Sequence, residues 1–191
     1  MKALSDPALL WLLGGTLGLL IVASLIGWVL AKKAVTDFAK ATVANLNART
    51  RAWWLMVAVF ATALVIGPLG TTLMFGFSSF MALREFITLT PTKVGDHRTL
   101  FWVFFIVTPL HYYFLGSGWY GMFVIFIPVY AFLVLPVRSA LAGDCERFLE
   151  RTAKIQWGLM VCVYCISHAP AILMLLRIPG FEGQNAKLLF W

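Results

Sequence analysis

Apolar and polar residues fall in long blocks along this chain. Residues 9–30, 52–66, 71–89, 100–115, 119–137 and 155–176 are almost wholly apolar, and polar segments separate them. An α-helix needs about 20 predominantly apolar residues to cross the hydrocarbon core of a bilayer. Inside lipid the backbone must satisfy its own hydrogen bonds, which helices do within one segment. The pattern therefore predicts an all-α fold, a polytopic transmembrane helical bundle of about six helices. The runs at 52–66 and 100–115 would span only about 23 Å at 1.5 Å per residue, so they are expected to borrow flanking residues. Leu188-Leu189-Phe190-Trp191 reads as the start of a seventh helix, so the chain is expected to be a fragment of something longer.

The first run is too long for the apolar part of a signal peptide. Its positive charges follow it, and no small-residue cleavage site comes after, so it reads as a retained helix. Residues 31–51 hold Lys32, Lys33, Lys40, Arg49 and Arg51 against Asp37 alone, with Phe38, Val43 and Leu46 at roughly helical spacing. They predict an interfacial amphipathic helix. The organisation expected is a first membrane helix with a basic cytoplasmic linker over 1–51, then the main bundle over 52–191. Trp53-Trp54 is a typical interfacial anchor. Gly67-Pro68-Leu69-Gly70 and Gly116-Ser117-Gly118 read as breaks, and 90–98 as a polar loop.

Composition agrees. The chain is 61% hydrophobic and 12% charged, with a mean hydropathy of +0.88; a soluble domain is about a quarter charged. The net charge of +7 does not indicate nucleic acid, which would want a soluble basic face with interleaved aromatics. With the N-terminus outside and each run crossing once, 12 of the 15 Lys and Arg residues fall inside. That is a strong positive-inside bias, as expected of a multi-pass protein of a bacterial inner membrane. Cys145, Cys162 and Cys165 make no disulfide framework. Cys162 and Cys165 lie within an apolar helix and read as packing residues.

Four groups of residues are candidates for chemistry. Arg84 and Glu85 adjoin near the cytoplasmic end of the third run, either facing a substrate cavity or reaching the headgroups from a helix end. His168 precedes Pro170, which cannot donate to the carbonyl of Ile166; Ser167 and His168 are expected to satisfy that break, or His168 contacts a ligand. His111, in the fourth run, has no neighbouring acid, and two histidines on different helices are not a metal signature. Asp144 is expected to cap a helix beginning there. In that helix Arg147, Arg151 and Lys154 fall at i, i+4, i+7 as one basic stripe. Such a stripe suits the phosphate of an acidic lipid or nucleotide, or serves only as a topological anchor. No phosphate-binding glycine loop, nucleophile elbow, zinc-protease or kinase motif occurs. No acidic cluster suited to Mg²⁺ is present either.

From Asn45 onward the chain resembles the amino-terminal half of the CDP-diacylglycerol synthase (phosphatidate cytidylyltransferase) family. The resemblance is carried by Asn47-Ala48-Arg49-Thr50-Arg51-Ala52-Trp53-Trp54, Ala82-Leu83-Arg84-Glu85-Phe86, Asp96-His97-Arg98 and Phe126-Ile127-Pro128-Val129-Tyr130-Ala131-Phe132. The most specific stretch runs from Glu146-Arg147-Phe148-Leu149-Glu150-Arg151-Thr152-Ala153-Lys154 to Ser167-His168-Ala169-Pro170. The resemblance implies a membrane enzyme that condenses CTP with phosphatidic acid, using Mg²⁺, to give CDP-diacylglycerol and pyrophosphate. The family's lysine- and aspartate-bearing signature does not occur here. No catalytic residue and no Mg²⁺ ligand is therefore assigned, and the chain alone is expected to be inactive. Two other readings stay open: a non-catalytic membrane module paired with a separate catalytic half, and a small transporter. A homodimer is compatible with each.

Overall fold

The structure, a computed structural model, describes residues 7–33, 35–141, 143 and 146–175. Among them helix is the dominant element and no strand occurs. The helices are α1 (Pro7–Lys33), α2 (Asp37–Ile66), α3 (Pro68–Thr88), α4 (His97–Gly116), α5 (Tyr120–Ala140) and α6 (Phe148–Met174). They answer to the six expected runs, and this is a helical, polytopic membrane architecture. Five are long and apolar enough to cross a membrane. The exception is α3, whose apolar run is diluted by Thr71, Thr72, Ser78, Ser79, Arg84 and Glu85. The expected start of a seventh helix lies outside the described residues.

The chain forms two compact units that divide at Gly67. In the first, α1 and α2 pack as an antiparallel pair. The polar segment expected as a separate interfacial helix is instead the first half of α2. Residues 37–66 contain neither Gly nor Pro and are rich in Ala, so nothing stops the helix where polarity gives way to apolar sequence. Thr36 starts it, accepting from the Ala39 amide at 3.3 Å. Two polar contacts tie the pair: Asn47 Nδ2 to the Gly27 carbonyl at 3.4 Å and Trp54 Nε1 to Ser24 Oγ at 3.0 Å. Any side chain at Gly27 would collide with Asn47.

The second unit is a bundle of α3–α6 around Leu83, Val103, Leu115, Phe123, Ile127, Leu135, Leu159 and Val163. Gly158 lets α6 approach α3, since a Cβ there would stand 2.7 Å from Phe86. Each of α4, α5 and α6 contains one π turn: Val103–Val107, Phe126–Ala131 and Met160–Cys165. In α4 the Thr108 hydroxyl fills the wide turn, donating to the Val103 carbonyl at 2.8 Å.

Prolines inside α5 free two carbonyls, and α6 satisfies both. Pro136 leaves Phe132 without its amide, and Gln156 Nε2 donates there at 2.8 Å. Pro128 leaves Val124 without its amide, and the Tyr164 hydroxyl donates there at 3.1 Å. The carbonyl freed by Pro170 is treated differently from the expectation. Ser167 Oγ and His168 Nδ1 each reach a carbonyl at 2.7 Å, but it is that of Tyr164, not of Ile166. The side chains of Ser167 and His168 fold back by three and four residues, to the turn that holds Tyr164.

Candidate functional site: a basic cavity at one end of the bundle

Every Lys and Arg of residues 68–175 belongs to the end of α3, the loop to α4, the first turn of α4, the end of α5, the position just before α6 or the first two turns of α6. The antiparallel run of these helices gathers all of them at one end. The organising contact is an ion pair between the loop and α6. Lys93 and Asp96 close a turn on themselves: the Asp96 amide donates to the Lys93 carbonyl at 2.9 Å, and the Lys93 amide donates to Asp96 Oδ2 at 3.0 Å. The carboxylate then receives Arg151, Nε at 2.9 and 3.1 Å and Nη2 at 2.6 Å. Arg151 Nη1 donates to the Glu146 carbonyl at 3.0 Å. Both side chains are buried.

Around this strut lies a cavity of about 290 Å³ lined by Pro91, Thr92, Lys93, Arg147, Glu150, Arg151 and Lys154. Glu150 bridges two of the cations, accepting from Arg147 Nε at 2.7 Å and from Lys154 Nζ at 2.7 Å. Lys93 pairs with Glu146. Four cations thus face a small concavity, and the carboxylates nearby are each engaged by one or more of them. Such a site suits an anion, because an incoming phosphate can take over donors now held by exposed glutamates. It does not suit a divalent cation: among the described residues no three His, Cys, Asp or Glu side chains come together to hold a metal. No ligand for the Mg²⁺ that the family resemblance implies is assigned among the described residues.

The expected stripe is brought together, though not as a helical stripe. Helix α6 begins at Phe148, not at Asp144, which lies outside the described residues. Arg147 precedes the helix in a left-handed conformation, φ 51°. Arg151 is the buried strut and Lys154 is half-buried, while Arg147 is exposed. Arg84 and Glu85 are exposed at the end of α3 and do not line the cavity. His168 lies in the last two turns of α6, edge-on to Tyr164 at 4.6 Å, also away from the cavity. Sequence reading missed Lys93 and Asp96 as members of the site. It also missed a buried pair in the bundle, where His111 Nε2 meets Ser167 Oγ at 2.8 Å. Ser167 gives its proton to Tyr164, so His111 Nε2 is the donor. Its Nδ1 has no partner among the described residues.

Comparison with known proteins bears on what such a site serves. The chain is 35% identical over 147 residues to the "Uncharacterized protein YnbB" of Escherichia coli (strain K12), a match covering 76% of this chain and 47% of that protein. It thus spans about half the length of this curated relative. No solved structure matches it. Residues 47–191 match the model of the cytidylyltransferase family. That match includes the whole α3–α6 bundle with its basic cavity, and the chain belongs to the cytidylyltransferase family.

Proposed function

We propose that this chain is the lipid-binding membrane part of a phosphatidate cytidylyltransferase of a bacterial inner membrane, with the basic end of the bundle at the cytoplasmic face. In that reaction a phosphate oxygen of phosphatidic acid attacks the α-phosphorus of CTP. A new P–O bond forms, the bond between the α- and β-phosphates breaks, and pyrophosphate leaves. The observation that carries the reading is the cavity bounded by Lys93, Arg147 and Lys154 at the mouth of a membrane bundle. Both substrates present phosphate, and one of them is anchored in the bilayer. Cations at the membrane–water boundary attract and orient such a headgroup.

The chemistry itself calls for groups that the described residues do not assemble, and the chain covers 47% of its relative's length. We assign the cavity a binding role and place the reacting groups in the remaining half, whether on the same or a separate polypeptide. The test is conversion of CTP and phosphatidic acid to CDP-diacylglycerol by membranes holding this chain, with and without the carboxyl-terminal half of a family member supplied as a second polypeptide. Product is expected only when both are present. Product from this chain alone would overturn the placement of the chemistry, and no product from the pair would overturn the function.

A further inference from the structure

The first unit carries a site of another kind. Between α1 and α2 runs an open groove of about 640 Å³, with walls that include Trp11, Leu19, Leu20, Trp53 and Val57. It extends from Trp11 to Ala23 along α1, about 18 Å at 1.5 Å per residue. Gly15 deepens it: where a Cβ would stand there is nothing within 4 Å. Both hydroxyls in its lining are spent. Thr16 Oγ1 donates to the Leu13 carbonyl at 2.9 Å and Thr50 Oγ1 to the Leu46 carbonyl at 3.0 Å. Arg49, at the end of the groove toward the start of α2, is different. It is exposed and has no carboxylate or hydrogen-bond partner among the described residues. The single acid of α2, Asp37, lies about 18 Å along the helix and pairs with Lys40 at 3.7 Å.

We infer that this groove holds one acyl chain of an anionic phospholipid whose phosphate rests on Arg49. The occupant must be apolar for most of its length, because the walls are apolar side chains and both hydroxyls in the lining are spent on their own helices. It must be anionic at one end, because Arg49 lacks a counter-ion. A helix from a second copy fits poorly: the acids within the described helices, Asp37, Glu85 and Glu150, all stand near helix ends, and Asp37 and Glu150 are already paired with cations of their own segments. A phospholipid satisfies both demands and is the solvent already present. Guanidinium–phosphate pairing is the strong, two-pronged kind.

Native mass spectrometry of the full chain from mixed phosphatidylglycerol and phosphatidylcholine micelles tests this. Wild type should retain one phosphatidylglycerol in preference to phosphatidylcholine. Arg49→Gln should cut that preference about fivefold, the worth of one cation near an anionic headgroup. Gly15→Leu, which fills the groove and leaves the charge, should retain one lipid fewer than wild type, keeping any lipid held at the basic cavity of α3–α6, while circular dichroism shows unchanged helix. Arg51→Gln is the control, since Arg51 faces a separate cavity with Trp28 and Trp54, and should change nothing. Equal retention of both lipids by wild type, or retention by Gly15→Leu as in wild type, overturns the inference. So does Gly15→Cys cross-linking to a polypeptide in place of lipid.

Discussion

Gln156 donates its side-chain amide to the carbonyl of Phe132 at 2.8 Å, and Phe132 is the residue that Pro136 deprives of a helical partner. A polar side chain on one membrane helix therefore repairs a break in the next. In hydrocarbon an unsatisfied carbonyl has no water to turn to. The Tyr164 hydroxyl does the same for Val124 across from Pro128. Together the two bonds fix the register of α6 against α5.

This repair makes a coupled prediction. Gln156→Leu should destabilise the bundle by about 0.6–2 kcal/mol, the range for hydrogen bonds between membrane helices. Pro136→Ala restores an amide to Phe132, so Gln156→Leu should cost less in that background. Reversible unfolding in mixed micelles across the double-mutant cycle measures the coupling. Strict additivity would show that the Gln156 amide contributes nothing at this carbonyl.

The Asp96–Arg151 pair should matter more. Both side chains are buried, with relative exposures of 2% and 7%. Removing one partner of a buried pair strands the other charge and costs about 3–5 kcal/mol. Asp96→Asn should therefore lower stability steeply and loosen the loop that carries Lys93. Replacing both residues with apolar ones of similar volume should recover much of the loss, since the desolvation cost disappears with the charges. Urea or thermal unfolding of the single and double variants would decide. A double variant no more stable than either single would show that Arg151 acts through its bond to the Glu146 carbonyl instead.

The block pattern of apolar runs made the helices legible because membrane helices need only length and hydropathy to be seen. It hid the continuity of α2, where polarity changes at residue 52 but no Gly or Pro interrupts the backbone. The basic cavity was half legible. Arg147, Arg151 and Lys154 stand close together in sequence, whereas Asp96 lies 55 residues from Arg151. No local signal says which base an isolated loop acid will meet. The links from Gln156 and Tyr164 to α5 had a usable signal that went unread: each interior proline frees the carbonyl four residues before it, and a polar residue on a neighbouring helix is the natural partner.

The cavity cations should set lipid preference. Arg151 is a structural strut, so the informative variant neutralises Lys93, Arg147 and Lys154 and leaves Arg151 in place. Each such charge is worth about 1 kcal/mol near an anionic leaflet. Binding to phosphatidic-acid nanodiscs should fall by one to two orders of magnitude at low salt, and wild type itself should lose preference as salt screens the charges. If the triple variant keeps wild-type preference, these residues serve only to orient the chain in the membrane.

Orientation gives the last prediction. Within residues 68–175 all seven Lys and Arg residues lie at the end of the bundle that holds the α3–α4 loop, and none lies at the end that holds the Ser117-Gly118 turn. Basic residues near helix ends are retained on the cytoplasmic side of a bacterial inner membrane. A cysteine placed at exposed Thr92 should therefore react with a membrane-impermeant maleimide only after the cytoplasmic side is opened. A cysteine at Ser117 should react in intact spheroplasts. Cys145, Cys162 and Cys165 are replaced with alanine beforehand, so that only the introduced thiol can react. Labelling at Thr92 from the periplasmic side would invert the bundle. It would also remove the basic cavity from the compartment that holds CTP, and the proposed function would fall with the topology.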